Sequence, residues 1–110
     1  MSSTADHLER LLARKHLTAE SAVRMSGIPV ARGMRILGTG CQPRRDDLIR
    51  LAAGMALTAE EADELLRTAG IAQLDRNVPR DSVIRHGLDC GTSLQRLNEE
   101  LSRQGMEAVQ

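Results

Sequence analysis

The apolar positions of this chain recur at helical spacing from end to end. Leu8, Leu11 and Leu12 share one helix face, Leu48, Leu51, Ala52 and Met55 follow the i, i+3, i+4, i+7 rule, and Ala62, Leu65, Leu66 and Ala69 repeat it. No stretch alternates apolar and polar residues as a half-buried strand does. The punctuation between the runs fits helix ends. LTAE occurs at 17–20 and again at 57–60, which puts Thr18 and Thr58 where a side-chain oxygen accepts an orphan N–H of a helix start. Thr58 with Glu61, and Thr92 with Gln95, have capping-box spacing, while Gly27, Gly70 and Gly105 stand where left-handed C-terminal caps are expected. The pattern predicts seven short helices, at about 4–15, 18–26, 30–37, 44–55, 58–69, 79–89 and 93–104. The expected fold is all-α: a compact bundle of about five short helices followed by two C-terminal helices.

The repeated LTxE phrase is too irregular in spacing for a solenoid and reads as reused capping chemistry. The longest interruption, IAQLDRNV over 71–78, precedes Pro79, which suits the first turn of a helix. It is read as a linker between an N-terminal unit over 1–70 and a helical pair over 79–110. At 110 residues and 41% hydrophobic composition, the chain has material for one modest core. No apolar run approaches the roughly 18 residues of a membrane span, and MSSTADHLER lacks the charged start and apolar centre of a signal peptide. A soluble, cytoplasmic protein with no membrane partner is expected.

Chemistry narrows the function classes further. Phe, Tyr and Trp are absent, which removes the usual platforms for stacking unpaired bases. Net charge is zero, yet residues 1–56 carry nine Lys/Arg against five Asp/Glu and residues 57–110 carry six against ten. A cationic half attracts phosphate whatever the total charge, although the same distribution also arises from charges scattered over solvated helix faces. Cys41 and Cys90 have no CxxC spacing and are expected to be free thiols. Cys41 near Arg44 and Arg45 has a setting that favours thiolate, against the simpler reading of an inert thiol. His7, His16 and His86 form no metal-binding pattern among themselves and are expected at surfaces or helix ends. There is no GxSxG, P-loop or GxGxxG, and GTGC at 38–41 reads as a loop. A non-enzyme with no cofactor is expected.

Helix 18–26, a Gly-centred turn, a second short helix and then a leucine-rich helix follow the order of a helix-turn-helix unit. LTAESAVRMSGI, QPRRDDLIRLAAGMALTAEEADELLRTAGI and the spacing between them resemble the Cro/phage-repressor type (XRE-like) of helix-turn-helix proteins over residues 8–70. The remainder resembles the extra helical pair that some small members append. The resemblance implies a transcriptional regulator whose second motif helix enters the major groove of duplex DNA. By position it assigns Val30, Ala31 and Arg35 to base edges and Arg32 to nearby phosphate, and it places Arg44 and Arg45 at the next helix start, a place suited to clamping phosphate.

Departures from the family pattern fall on the motif. Val23 stands where the first helix usually carries a small residue, and Gly33 stands where the second usually buries a branched one. Val23 is expected to occupy the space Gly33 vacates. The second helix also opens on Pro29, Val30 and Ala31 in place of polar residues, which keeps open an alternative: an adaptor of the same fold that binds another protein. Leu94, Leu97 and Leu101, with Asn98 beside them, form a seam that can pack inside one chain or against a second copy, and a homodimer is the expectation.

Overall fold

The computed structural model describes residues 4–38 and 42–110, and these form seven α-helices with no strand among them. They are α1 (Thr4–Arg14), α2 (Ala19–Ser26), α3 (Val30–Gly38), α4 (Arg45–Gly54), α5 (Ala59–Thr68), α6 (Pro79–Asp89) and α7 (Leu94–Arg103). Each lies within two residues of its expected span. None is long and apolar enough to cross a membrane.

The helix starts follow local chemistry. Thr18 Oγ1 accepts the Ser21 N–H at 3.1 Å, and Thr58 and Glu61 exchange bonds of 3.2 and 2.9 Å in the expected capping box. The start of α7 differs from expectation, because Ser93 and not Thr92 is its cap. Thr92 is already used by the preceding helix end, where its N–H donates to the Gly87 carbonyl at 2.9 Å.

That end belongs to a motif shared by α1, α4, α5, α6 and α7. In each, a left-handed residue is followed by one whose N–H reaches five residues back: Leu17 to Leu12, Leu57 to Ala52, Ile71 to Leu66, Thr92 to Gly87 and Met106 to Leu101. The left-handed positions are Gly at 70, 91 and 105, but His16 (φ 57°) and Ala56 (φ 56°) fill the other two. An L-residue pays about 1–2 kcal/mol for that conformation. Ala56→Gly is therefore expected to raise stability by about 0.5–1 kcal/mol, after the extra freedom of Gly in the unfolded chain is subtracted. A rise in the urea midpoint at constant slope is the readout.

One hydrophobic core runs through all seven helices, from Leu8 and Leu11 through Leu48, Leu51 and Leu65 to Ile84, Leu97 and Leu101. The Cα radius of gyration, 12.9 Å, is that of one compact body, since about 13 Å is typical for a domain of this length. The segment over 71–78, expected as a linker, is tied to both sides. Leu74 is buried, its N–H donates to Asp63 at 2.9 Å, and Arg45 donates to the Ala72 and Gln73 carbonyls at 3.0 Å each.

The C-terminal tail closes the bundle. Val109 is buried, and Asn98 pairs with its backbone in both directions, accepting its N–H at 2.8 Å and donating to its carbonyl at 3.3 Å. Arg50 then bridges that carbonyl, at 3.0 Å, to the Ser26 carbonyl at the end of α2, at 3.2 Å. This arrangement corrects the expected dimer seam. Leu97 and Leu101 are fully buried within their own chain, and Leu94 packs on the same core. A small residue makes this possible: a Cβ on Gly87 would lie 2.8 Å from Leu97 Cδ1, so glycine lets α6 and α7 close on each other. Asn98 is spent on the tail, and of the three leucines only Leu94 keeps part of its surface.

Candidate nucleic-acid interface

The unit of α2, the turn at Gly27–Pro29 and α3 is built on an exchange of small and large residues. A Cβ added at Gly33 would lie 2.7 Å from Val23 Cγ2 and closer still to Cγ1, so Val23 fills the volume a side chain at 33 would need. The compensation expected from the sequence is present. Gly27, at φ 73°, ends α2 in the left-handed region and donates its N–H to Arg24. A third close approach was not legible in the sequence: a Cβ on Gly54 would meet the Ser26 backbone N at 2.8 Å, so α4 touches the end of α2 directly.

The inner face of α3 buries Gly33 and Ile36. Its outer face, at successive helical azimuths, carries Val30, Met34, Ala31 and Arg35, all exposed. The three residues assigned to base edges therefore lie together on the outer face of α3. Met25, in the last turn of α2, is 63% exposed. With Val30 at 59% and Met34 at 42%, the α2–α3 unit holds three of the four exposed large apolar residues among those described.

Arg32, Arg44 and Arg45 differ in their partners. Arg32 Nη2 lies 2.5 Å from Asp47 Oδ2, and the Asp47 side chain is almost fully buried at the start of α4. Asp47 also accepts the Arg44 backbone N–H at 2.9 Å and Arg44 Nη2 at 3.3 Å. Burial pushes the Asp47 carboxyl up, and the bonds from Arg32 and Arg44 outweigh it, holding the group below its usual range. Arg32 thus fastens α3 to α4. Arg44 remains largely exposed beside them.

Arg45 departs furthest from its expected role. Its Nη1 and Nη2 grip Asp81 at 3.0 and 2.9 Å, and Nε and Nη2 reach the Ala72 and Gln73 carbonyls. The Asp81 hydrogen bond leads the causes that raise the guanidinium pKa. All its donor atoms turn inward, so Arg45 joins α4 to α6 and the 71–78 segment and does not face outward with Arg44. The pairing spans 36 residues, and no local spacing signals it.

No protein-family model, curated protein or solved structure matches the chain.

Among the described residues, the remaining candidates form no second site. Cys41 lies outside the described residues, as does most of GTGC. Cys90 is an exposed free thiol whose Sγ is 3.6 Å from His86 Nε2, an i, i+4 pair. No group of three or more His, Cys, Asp or Glu gathers as for a metal among the described residues. His7, expected at a surface or a helix end, lies in the first turn of α1 but is buried, with no partner for Nε2. Burial lowers its pKa, with Arg10 and Arg14 adding to the effect and Glu64 opposing it.

The unfolded chain then binds a proton more readily than the folded one below about pH 6.5, so stability falls as the pH drops from 7.5 towards the lowered folded value. His7→Leu is expected to remove that slope. Urea unfolding of both proteins at pH 7.5 and 5.5 checks it, and an equal slope in the variant rejects His7 as the source.

Proposed function

We propose that the chain is a small regulator that binds duplex DNA, using α2, the Gly27 turn and α3 as a helix-turn-helix of the Cro/repressor type. The observation that carries this reading is the presentation of α3. One face is locked by Gly33, Ile36 and the Arg32–Asp47 pair, while the opposite face projects Val30, Ala31 and Arg35 with Arg44 exposed nearby. An α-helix is about 10–12 Å across with its side chains, a fit for a major groove about 12 Å wide. In this reading Arg35 contacts a guanine edge and Arg44 a phosphate. Arg32 positions α3, and Arg45 belongs to the scaffold. A homodimer on two half-sites would use a surface other than the buried Leu97 and Leu101.

A second reading, a protein-binding adaptor, is favoured by the exposure of Met25, Val30 and Met34. Selection from random duplexes at about 50 mM salt separates the two, because even non-specific attraction to DNA is visible there. Arg35→Ala is expected to lose about 1–3 kcal/mol on the preferred site and to relax one base position. Arg44→Ala is expected to weaken all sequences alike and to flatten the slope of log affinity against log salt by about 1. No duplex bound above background would reject the regulator reading and leave the adaptor.

A further inference from the structure

The outer face of α3 is unusual for a helix meant to read bases through hydrogen bonds. Going round it, Val30, Met34 and Ala31 come before the first side chain able to donate, Arg35. Val30 and Met34 stand four apart and so lie one above the other on the same stripe. Met25 adds a third long apolar side chain from the end of α2. None of the three belongs to the hydrophobic core or packs against it, while Val23, Gly33 and Ile36 are buried.

Major-groove edges offer one apolar group, the 5-methyl of thymine, and 5-methylcytosine carries the same group at the equivalent position. An apolar stripe bordered by cations matches a methyl-lined groove floor between phosphate walls. Arg35 follows the stripe on the same helix, and Arg44 is exposed at the start of α4, beside the Arg32–Asp47 pair. A large protein partner fits less well. A stable interface needs about 800 Å² on each side, and this apolar stripe is limited to one short helix and a single methionine beside it.

We propose that Val30 and Met34, assisted by Met25, recognise 5-methyl groups of pyrimidines in the major groove, so that the chain selects its site largely by apolar contact, with Arg35 as the polar anchor. The inference rests on the duplex reading above. It makes Val30 and Met34 specificity-determining residues, and it accounts for apolar side chains at positions where hydrogen-bonding ones are usual.

The test uses the full chain and the duplex recovered by selection. Each thymine is replaced in turn by deoxyuridine, which removes only the methyl. Affinity is expected to fall about fourfold at each contacted position, the worth of one buried methyl, and to stay unchanged elsewhere. Replacing a contacted thymine–adenine pair by 5-methylcytosine–guanine is expected to retain more affinity than unmethylated cytosine–guanine does. In Val30→Asn/Met34→Gln, the ratio of thymine to deoxyuridine affinities is expected to drop to about 1. Both side chains are exposed, and an unchanged helical circular dichroism spectrum establishes that the variant is folded. Tight, selective binding with no thymine position sensitive to deoxyuridine would overturn this inference and leave the duplex reading standing. A methyl dependence that survives in the double variant would overturn the assignment to Val30 and Met34. Failure to bind any duplex would overturn both readings, and the apolar stripe would then belong to a protein partner.

Discussion

Gly33→Val is expected to cost about 2–3 kcal/mol of folding free energy, because a Cβ there already meets the Val23 methyls and the added carbons meet the same wall. Val23→Ala is expected to cost about 1–2 kcal/mol, through lost apolar burial and the cavity left between α2 and α3. The combined variant, Val23→Ala/Gly33→Val, is the informative protein. It moves the bulk from one helix to the other and restores the arrangement common in the resembled family, so its stability is expected within about 1 kcal/mol of wild type. Urea unfolding of the four proteins yields the coupling directly. A double variant as unstable as the sum of its parts would mean that the two side chains do not share one space.

The same cycle bears on function. Val23 and Gly33 set how closely α2 and α3 pack, and hence the pose of the outer face of α3. If Val30, Ala31 and Arg35 read a groove, the double variant should keep its stability yet shift its preferred site, since a change in the crossing tilts all three side chains together.

Those two residues also show where the sequence was legible. Val23 and Gly33 were each out of pattern at partnered positions, so the trade between them followed from the resemblance before any contact was seen. The helices themselves were legible for a simpler reason: apolar spacing and the caps at Thr18, Thr58, Gly27 and Gly70 are local features and act within a few residues. The errors come where local information ends. Thr92 and Ser93 are adjacent candidates for one cap, and the choice was settled by the end of the preceding helix. Leu94, Leu97 and Leu101 announce an apolar face but not what covers it. Gly87 and the α4 contact brought α7 onto the intramolecular core, and Leu97 and Leu101 became interior.

The charged residues of the candidate site were least legible. Arg44 and Arg45 are neighbours of the same type, yet one is exposed and the other is enclosed by partners 27 to 36 positions away. Arg32 likewise looks like a surface cation until Asp47, 15 residues on, folds beneath it. A sequence displays which residues can pair, and tertiary packing decides which of them do. His16 and Ala56 add a different case. Their left-handed backbone is imposed by the hydrogen bonds of the helix end and leaves no mark in the residue type.

Asp81 ties three parts of the fold together, and its loss is expected to be correspondingly expensive. It accepts both terminal nitrogens of Arg45 and the Asp75 N–H at 3.0 Å, so it holds α4, α6 and the 71–78 segment together. Asp81→Ala strands the Arg45 charge, whose side chain keeps only 27% of its surface in water. Removing one partner of a fully buried pair costs about 3–5 kcal/mol, and this residual solvent access brings the expectation to about 2–4 kcal/mol. Arg45→Met/Asp81→Leu is expected to be less damaging than Asp81→Ala, since it leaves no charge without a partner. The pH dependence identifies the ion pair as the cause. Burial raises the Asp81 pKa, but the Arg45 and Asp75 hydrogen bonds prevail and the group titrates below its ordinary value. A carboxyl lowered by folding stabilises fully above its unfolded pKa of about 4, and that contribution is lost as the pH falls towards the folded value. The gap between wild type and Asp81→Ala should therefore be widest near neutral pH and narrow steadily below about pH 4. Denaturant unfolding across that range measures it, and a gap that does not change with pH would assign the loss to packing and reject the charge pair as what holds the segment in place.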